Sequence, residues 1–419
     1  AGSFSMWTGL VLNYIIYMLT LIVLYKLALL LFGSRTNAVC AVLLYGLSTI
    51  GLSTMLMIRM YVLLTLWSVL LSYLIALLMR EKRTALYPLI GVTVFAGLMT
   101  QYYFVFYAFF VCLAYDIRAA VKRDWRGFVM FSLAALCGAV CLLPAFPACL
   151  DQLFADALVS GGGAVDNLKS VGQYAERLNI FRADSLHLMK AIVSTALVLA
   201  AAALICCRRV AKAVREGAVR WDALIFIIPA IVSFLLVTVI SPVSEIRYIY
   251  NLVPMLVLAV SLLGHLAALG LPELREKKYA RGAALIAAAA LCLWEARSVA
   301  PDYLYDEYSD YDELLQAHSG APCVYMDDNY FSPITFDMLQ LLNFDDFLVT
   351  NDTSSNAMLA YIGAAPETVV FIDISRQWAS GYDPDEVIAG LEASTGYTEA
   401  DELYSNGFSA VYLLKGGNA

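Results

Sequence analysis

The sequence predicts an all-α polytopic membrane protein with about ten transmembrane helices, followed by a small α/β domain. Of the 419 residues, 61% are hydrophobic and only 15% are charged, whereas soluble domains carry about 25% charged residues. The apolar residues form runs of about 18 to 25, the length that a helix needs to cross about 30 Å of hydrocarbon. Charge is also segregated: residues 295–419 hold 22 acidic and three basic residues, and the preceding part holds 13 acidic and 24 basic ones.

Ten apolar runs are the predicted membrane spans. In chain order they are Met6–Phe32, Ala38–Ile58, Met60–Met79, Leu86–Gln101, Tyr102–Tyr115, Phe128–Leu150, Leu188–Cys207, Ala223–Ser241, Ile249–Leu269 and Ala283–Val299. The fourth and fifth runs are short and adjacent, so one long helix is an alternative to a hairpin; basic residues on both flanks favour the hairpin. The last run has an uninterrupted apolar core of only about a dozen residues. If it does not cross, the C-terminal domain lies in the cytoplasm.

Basic residues predict the orientation, because Lys and Arg accumulate in cytoplasmic connections. Every second connection is basic. These connections contain Arg35, Arg80–Arg83, Arg118–Arg126, Arg208–Arg220 and Arg275–Arg281. The intervening connections contain few basic residues. We therefore expect Ala1, the long connection 151–187 and the C-terminal domain to lie outside the cytoplasm.

The charge boundary predicts two domains, a transmembrane region at 1–299 and an acidic, soluble, extracytoplasmic α/β domain at 300–419. Four β-rich runs in the second domain are Cys323–Met326, Phe347–Thr350, Val369–Ile374 and Ala410–Leu414. Helix-like segments at Ile334–Asn343 and Pro384–Ser394 lie between them. This alternation indicates a partly parallel sheet. The domain lacks a Gly-rich phosphate loop, so we assign it no nucleotide.

Cysteine and histidine give no sign of a metal or redox site. The nine Cys and three His residues are scattered without zinc-ligand spacing. The acidic pairs Asp327-Asp328 and Asp345-Asp346 are more typical of solvated loops than of a metal site. We therefore predict no cofactor and no nucleic-acid partner, and leave a divalent metal ion open.

Three polar clusters fall at the predicted outer face, where charged groups are costly unless they bind something or find a partner. Their residues are Arg59 and Tyr61, then Gln101, Tyr102 and Tyr103, and finally Glu245, Arg247 and Tyr248. An Arg at this depth could bind a lipid phosphate through its planar fork of donors. Snorkelling, or an ion pair between Glu245 and Arg247, is the structural alternative. The turn with Gln101, Tyr102 and Tyr103 could form a polar and aromatic wall for a sugar or an isoprenoid chain. Aromatic belts are, however, ordinary at membrane interfaces.

The runs Ile58–Leu64 and Thr100–Tyr103 resemble those of bacterial protein mannosyltransferase-like (family 39) membrane glycosyltransferases. There the equivalent stretches read Arg-x-Tyr and Thr-His-Tyr-Tyr, so Gln101 departs from the pattern. Glu245–Tyr248 with Pro254 is similar to a later outer loop of that family, and the resemblance covers about residues 6–270. It implies the glycosyltransferase C-type architecture. The implied reaction is inverting transfer of a sugar from a polyprenyl-phosphate-linked donor in the lipid bilayer to an unidentified acceptor at the outer face of the cell membrane.

The resemblance also implies roles for residues. Arg59 and Arg247 map to positions that would bind the donor phosphate. In the family, an Asp in the first outer loop activates the acceptor. We expect the chain to begin at the family's second span, so that this Asp would precede residue 1 and the fragment would be inactive.

Two other functions are compatible with the sequence. One is a transporter or flippase of a lipid-linked or anionic substrate, and the other is a non-catalytic membrane subunit whose acidic domain binds a partner. A transporter should carry polar residues near the bilayer midplane, and the apolar runs hold few beyond Asn13. The polar groups instead gather at one predicted face, which favours chemistry at the membrane surface.

Overall fold

The computed structural model shows two units. It describes residues 6–147, 178–179, 182, 186–219, 221–240, 246–271, 278–298, 317–318, 320–326, 347–350, 353, 365–373, 382–405 and 409–416. Contacts group Gly9–Tyr303 into a helical unit and Leu304–Ala419 into a second unit. The domain boundary predicted from charge falls near this division, after residue 299.

Thirteen helices in the described part of the helical unit have defined bounds. They are α1 (Met6–Phe32), α2 (Arg35–Gly46), α3 (Thr49–Leu56), α4 (Tyr61–Glu81), α5 (Leu86–Thr100), α6 (Phe104–Val121), α7 (Trp125–Val140), α8 (Leu142–Ala145), α9 (Lys190–Ile205), α10 (Cys207–Arg215), α11 (Leu224–Ile240), α12 (Val253–Gly270) and α13 (Lys278–Ser298). Two 3-10 segments, Trp221–Ala223 and Ile246–Leu252, precede α11 and α12.

Seven helical stretches among the described residues are long and apolar enough to cross a bilayer. They are α1, α4, α6, α7 with α8, α11 and α12 with their 3-10 segments, and α13. The bent pairs α2–α3 and α9–α10 raise the number to nine if each is one span. Helix α5 has 15 residues and is about 22 Å long, less than the hydrocarbon thickness. The count of ten, which requires α5 and both bent pairs to cross, stays a prediction.

The fourth and fifth apolar runs form two separate helices, so the single long helix is excluded. Helix α5 ends at Thr100 because Gln101 adopts an extended backbone, with φ −163° and ψ 139°. That conformation interrupts the helical hydrogen bonds, and the chain turns through Tyr102 into α6. The last apolar run also forms a complete helix: α13 has 21 residues, although many of them are alanines with little hydropathy.

The second predicted span, Ala38–Ile58, is wrong as a single helix, because α2 and α3 are bent by 60°. The side chain of Ser48 accepts a hydrogen bond from Gly51 N–H at 3.3 Å and caps α3. The Glu295 carboxylate accepts another from Thr49 N–H at 3.1 Å. These acceptors satisfy backbone groups that a break inside lipid would leave unpaired, so the chain tolerates the bend.

The seventh predicted span, Leu188–Cys207, ends at a sharp bend in the chain. Helix α9 stops at Ile205, and α10 turns away by 82°. Four basic residues lie on α10: Arg208, Arg209, Lys212 and Arg215. A short amphipathic basic helix of this kind is suited to lie along a membrane surface.

Side-chain contacts gather the basic connections at one end of the helical unit. Four of these contacts are Lys82 Nζ to Asp124 Oδ2 at 2.8 Å, Arg118 to Asp222 at 3.3 Å, Arg80 to Leu30 O at 3.4 Å and Arg209 to Gly270 O at 3.5 Å. The Lys82 ammonium and the Gly127 N–H hold the pKa of Asp124 below its ordinary value. We call this end of the helical unit the basic face.

The described turns at 57–60 and 101–103 lie at the other end, which we call the aromatic face. Asn13 Nδ2 donates to the carbonyl oxygens of Met55 and Met57, at 3.0 and 2.8 Å, and so joins α1 to the end of α3. Trp67 Nε1 donates to Thr100 Oγ1 at 3.1 Å and joins α4 to the end of α5. These contacts separate the described turns near Arg59 and Gln101 from those of the basic face. Which set faces the cytoplasm stays a prediction.

The second unit contains a five-stranded sheet. Its strands are β1 (Cys323–Met326), β2 (Phe347–Thr350), β3 (Glu367–Asp373), β4 (Glu399–Ser405) and β5 (Ser409–Lys415), in the order β2-β1-β3-β5-β4. Strand β1 is parallel to β2 and β3, whereas β5 is antiparallel to β3 and β4. The partly parallel sheet is therefore confirmed. Strand β4 was not predicted, because as an exposed edge strand it carries acidic residues instead of an apolar run.

Among the described residues of this unit, one helix packs on the sheet. Helix α14 (Pro384–Thr395) confirms the prediction at Pro384–Ser394, and it begins where Asp383 accepts a hydrogen bond from Asp385 N–H. Val387, Ile388 and Leu391 bury its apolar side against sheet residues such as Val324 and Val370. The other predicted helix, Ile334–Asn343, lies outside the described residues.

Candidate functional site

Three segments that are far apart in the chain meet at the aromatic face. Tyr61, the first residue of α4, packs edge to face on Tyr250 of the second 3-10 segment, with ring centroids 5.9 Å apart. Tyr103, just before α6, packs on Tyr248 of the same segment at 4.8 Å with an interplanar angle of 36°. The segment Ile246–Leu252 therefore contacts both of the other turns. We call these four tyrosines the aromatic cluster.

Pro254 lies in the first turn of α12, just after the 3-10 segment. Proline has no N–H, so it cannot bond the carbonyl four residues earlier, but it is favourable in the first turn of α12. A buried contact fixes the segment to α4, since Asn251 Nδ2 donates to Ser68 Oγ at 3.2 Å. One turn further along α4, Ser72 Oγ lies 2.7 Å from the Tyr107 hydroxyl of α6. The first contact holds the segment that carries Arg247 and Tyr248 against α4, and the second joins α4 to α6.

Arg247 is half-buried beside the aromatic cluster. Its guanidinium carbon lies 5.9 Å from the centroid of the Tyr248 ring, within the range of a cation–π contact. The Tyr248 ring therefore contacts both the guanidinium and the ring of Tyr103. The predicted partner Glu245 lies outside the described residues, so the alternative of a Glu245–Arg247 ion pair stays untested.

Arg59 belongs to the turn between α3 and α4, which Asn13 holds through the carbonyls of Met55 and Met57. The Arg59 N–H donates to Met57 O at 2.8 Å, which tightens the turn. Its side chain is half-buried and forms no hydrogen bond or ion pair with other residues that the structure describes. Arg59 is two residues from Tyr61, so the same turn carries a guanidinium and a member of the aromatic cluster.

Gln101 and Tyr102 occupy the turn beside Tyr103, and both are half-buried. The amide oxygen of Gln101 is buried and has no hydrogen-bond donor within the described part of the chain. A buried acceptor without a donor costs about 1–3 kcal/mol. A ligand hydroxyl that donated to this oxygen would recover that free energy. Tyr102 packs against the apolar interior of the helical unit.

Ring contacts thus pair Tyr61 with Tyr250 and Tyr103 with Tyr248. A cation–π contact adds Arg247 to the second pair, and Arg59, Gln101 and Tyr102 lie on the same turns. The sequence did not single out the supporting residues as a set. They are Ser68, Ser72, Tyr107, Tyr250, Asn251 and Glu295. Polar residues inside apolar runs are the signal that could have found them, because such residues are costly in lipid without a partner.

Glu295 is a support of a different kind. It lies in α13 and its side chain is fully buried. The carboxylate accepts hydrogen bonds from Thr49 N–H of α3 at 3.1 Å and from Ala191 N–H of α9 at 2.8 Å. One carboxylate therefore caps the first turns of two helices, and it holds the bend that leads to Arg59.

The arrangement suits the binding of an anion that carries a polar, hydroxyl-rich group. It offers guanidinium groups, aromatic rings and an amide oxygen, whereas no acidic residue described in the helical unit belongs to the three segments. All six acidic residues that the structure describes in the helical unit lie elsewhere: Glu81, Asp116, Asp124, Glu216, Asp222 and Glu295. The described residues also contain no group of three or more His, Cys, Asp or Glu that could hold a metal ion.

Comparison with known proteins adds no family to this description. No protein-family model matches the chain, and no curated protein matches it.

Proposed function

We propose that the protein is a multi-pass enzyme of the cell membrane that transfers a sugar from a polyprenyl-phosphate-linked donor to an acceptor. The transfer takes place at the aromatic face, which is extracytoplasmic, as is the C-terminal domain. One observation carries the proposal: the turn with Arg59 and Tyr61, the turn with Gln101–Tyr103 and the segment with Arg247 and Tyr248 converge at one end of the helical unit. A donor with a phosphate, a sugar and an apolar chain needs groups of these kinds.

The phosphate of the donor binds to Arg247 and Arg59. Arginine suits this role because its planar guanidinium forms paired hydrogen bonds with phosphate oxygens and is only weakly hydrated. In an inverting transfer, an acceptor oxygen attacks the anomeric carbon as the bond from that carbon to the phosphate oxygen breaks. The phosphate leaves with the electron pair and gains negative charge. The two guanidinium groups therefore bind the transition state more tightly than the intact donor, which lowers the barrier.

The aromatic cluster and Gln101 orient the sugar. The rings of Tyr103 and Tyr248 offer apolar faces to the C–H side of a pyranose, and the Gln101 amide oxygen accepts a hydrogen bond from a sugar hydroxyl. The proton of the acceptor passes to a base, and the three segments contribute no such base from their described residues. The proposal therefore assigns donor binding to these segments and leaves proton transfer to another part of the protein.

Donor binding by Arg247 is tested with the full-length protein purified in detergent and titrated with polyprenyl-phosphate mannose. One charge-assisted hydrogen bond is worth about 1.5–3 kcal/mol, so Arg247→Ala should weaken binding about tenfold or more and should lower turnover. Arg80→Ala is the control, because Arg80 is also an arginine near a helix end but is exposed and lies at the basic face. Equal affinity of wild type and Arg247→Ala would remove Arg247 from the donor site.

The same preparation distinguishes the enzyme from a transporter or flippase. In vesicles loaded with the donor, transfer releases free polyprenyl phosphate and leaves the sugar on another molecule. Transport moves the intact donor between leaflets. Donor translocation without cleavage of the sugar–phosphate bond would contradict the proposal.

A further inference from the structure

A cavity of about 670 Å³ opens at the basic face of the helical unit. Helices α2, α9, α12 and α13 form its walls, together with the turn between α1 and α2. No residue of the aromatic cluster lines it, so this cavity is separate from the candidate donor site. Its volume lies within the range of about 300–1,000 Å³ that is typical of small-ligand sites.

One end of the cavity is polar and basic. Ser34, Arg35 and Asn37 line it at the start of α2, and Arg281 lines it near the start of α13. Both helices therefore begin at this end, where the helix dipole favours negative charge, and Ser34 Oγ accepts a hydrogen bond from Asn37 N–H at the start of α2. Arg35 is exposed, and its side chain has no hydrogen bond or ion pair to the other described residues. The described residues that line the cavity include no Asp or Glu, whereas they include the two arginines.

The rest of the cavity is apolar. Leu44, Leu199, Ala288 and Leu291 are among its lining residues. Val198 of α9 and Ala284 of α13 line it too and are themselves exposed at the surface of the helical unit. The neighbouring residues Leu197 and Ile286 are 67% and 71% exposed, as expected of side chains that face lipid. An apolar chain could therefore pass from the cavity onto the lipid-facing surfaces of α9 and α13.

We propose that this cavity binds one anionic membrane lipid, with its phosphate group between Arg35 and Arg281 and its acyl chain along α9 and α13. The combination of a basic end and an apolar groove that reaches the lipid-facing surface matches the two parts of such a molecule. A free phosphate would use only the basic end. The site is independent of the proposed sugar transfer, since it lies at the opposite face and shares no residue with the aromatic cluster.

Native mass spectrometry of the full-length protein in detergent tests the site with an equimolar mixture of phosphatidylglycerol and phosphatidylcholine. We expect the protein to retain one phosphatidylglycerol in preference to phosphatidylcholine. Each arginine near a membrane surface contributes appreciably to the attraction of anionic lipid, so Arg35→Ala combined with Arg281→Ala should reduce the preference about tenfold or more. Arg123→Ala combined with Arg126→Ala is the control, because both residues are exposed near the basic face and neither lines the cavity.

A second pair of variants tests the apolar part without changing charge. Ala284→Trp places a large side chain at an exposed position of the cavity wall and should abolish retention of the lipid. Ala283→Trp changes the adjacent exposed alanine, which does not line the cavity, and should leave retention unchanged. The proposal is overturned if both lipids are retained equally, if either variant pair behaves like its control, or if inorganic phosphate alone displaces the phosphatidylglycerol. Transfer activity with polyprenyl-phosphate mannose is measured in parallel, so that loss of this site and loss of the donor site are separate results.

Discussion

The Glu295 carboxylate is a negative charge inside an apolar helical unit, a position that is costly unless the charge is fully bonded. Its two oxygen atoms accept hydrogen bonds from Thr49 N–H and Ala191 N–H, at 3.1 and 2.8 Å. Both donors belong to the first turns of helices, where N–H groups lack partners within the helix and the dipole is positive. The carboxylate and the two helix ends therefore satisfy each other, and α13 is tied to α3 and α9.

We predict that Glu295→Ala destabilises the helical unit by roughly 1–4 kcal/mol, because the loss of one helix cap typically costs about 0.5–2 kcal/mol and two caps are lost. Glu295→Gln should have an intermediate effect, since its amide has one acceptor oxygen instead of two. Thermal unfolding of the purified protein in detergent measures the change. Glu216→Ala is the control, because Glu216 forms an exposed ion pair with Lys212 at 3.8 Å and such pairs are worth little. If Glu295→Ala and Glu216→Ala unfold at the same temperature, the double cap does not stabilise the protein.

At the same scale, the sequence singled out some residues of the candidate site and missed others. Arg59, Tyr61, Tyr103, Arg247 and Tyr248 stand out because they interrupt or flank apolar runs at one predicted face. Their convergence could not be predicted, because it depends on how α4, α6 and α12 pack. The contact of Asn251 with Ser68 joins residues that are 183 positions apart, and a single sequence gives no information about such a pairing.

At the scale of the elements, α5 is held by an unusually close approach to α7. A Cβ atom on Gly138 of α7 would lie only 2.2 Å from the carbonyl oxygen of Gly91 in α5, and one on Gly91 would lie 2.7 Å from the carbonyl oxygen of Ala134. Small residues at such positions allow backbones to approach where the hydrophobic effect gives helices little reason to associate. This packing explains how a helix of 15 residues keeps its place between longer ones.

Gly138→Ala should therefore force α7 away from α5 and destabilise the protein by about 1–3 kcal/mol, the usual cost of overpacking. Gly282→Ala in α13 is the matched control, because no atom of the described residues lies within 4 Å of its added Cβ. Alanine is the better helix former, so the control should be neutral or slightly stabilising. Thermal unfolding of both variants measures the difference. Equal unfolding temperatures would show that α5 and α7 do not need the close approach.

Apolar runs predicted the existence of the long helices but not their bends. Ser48, Thr49 and Gly51 interrupt the second run only slightly, and a break inside lipid is possible there because Glu295, 246 residues away from Thr49, supplies the missing acceptor. The bend after α9 has a different cause: Cys206 and Cys207 precede a basic segment that is too polar to remain in an apolar environment. Strand β4 was missed because an exposed edge strand needs no apolar alternation.

At the scale of the whole molecule, α13 decides on which side of the membrane the C-terminal domain lies. This helix has 21 residues and is about 31 Å long, enough to cross the hydrocarbon. It begins within the basic stretch Arg275–Arg281, since Lys278 and Arg281 belong to its first turns. If it crosses, the acidic domain lies on the same side of the membrane as the aromatic face and could take part in recognising the acceptor.

Cysteine labelling in intact cells tests this topology. In a variant that lacks the nine natural cysteines, a single cysteine is placed at one of three exposed positions. These are Met60→Cys at the aromatic face, Lys82→Cys at the basic face and Glu386→Cys in the C-terminal domain. We predict that an impermeant maleimide labels Met60→Cys and Glu386→Cys in intact cells, and Lys82→Cys only after permeabilisation.

Each labelling pattern identifies a different error in the predicted topology. If Glu386→Cys is labelled only after permeabilisation, as expected for Lys82→Cys, then α13 does not carry the chain across the membrane. The acidic domain then cannot meet an acceptor at the aromatic face. If Met60→Cys is protected in intact cells while Lys82→Cys is labelled, the whole unit has the opposite orientation. Sugar transfer would then have to use a donor in the cytoplasmic leaflet. The labelling of Met60→Cys therefore tests the side of the proposed chemistry, and that of Glu386→Cys tests whether the second domain is present on that side.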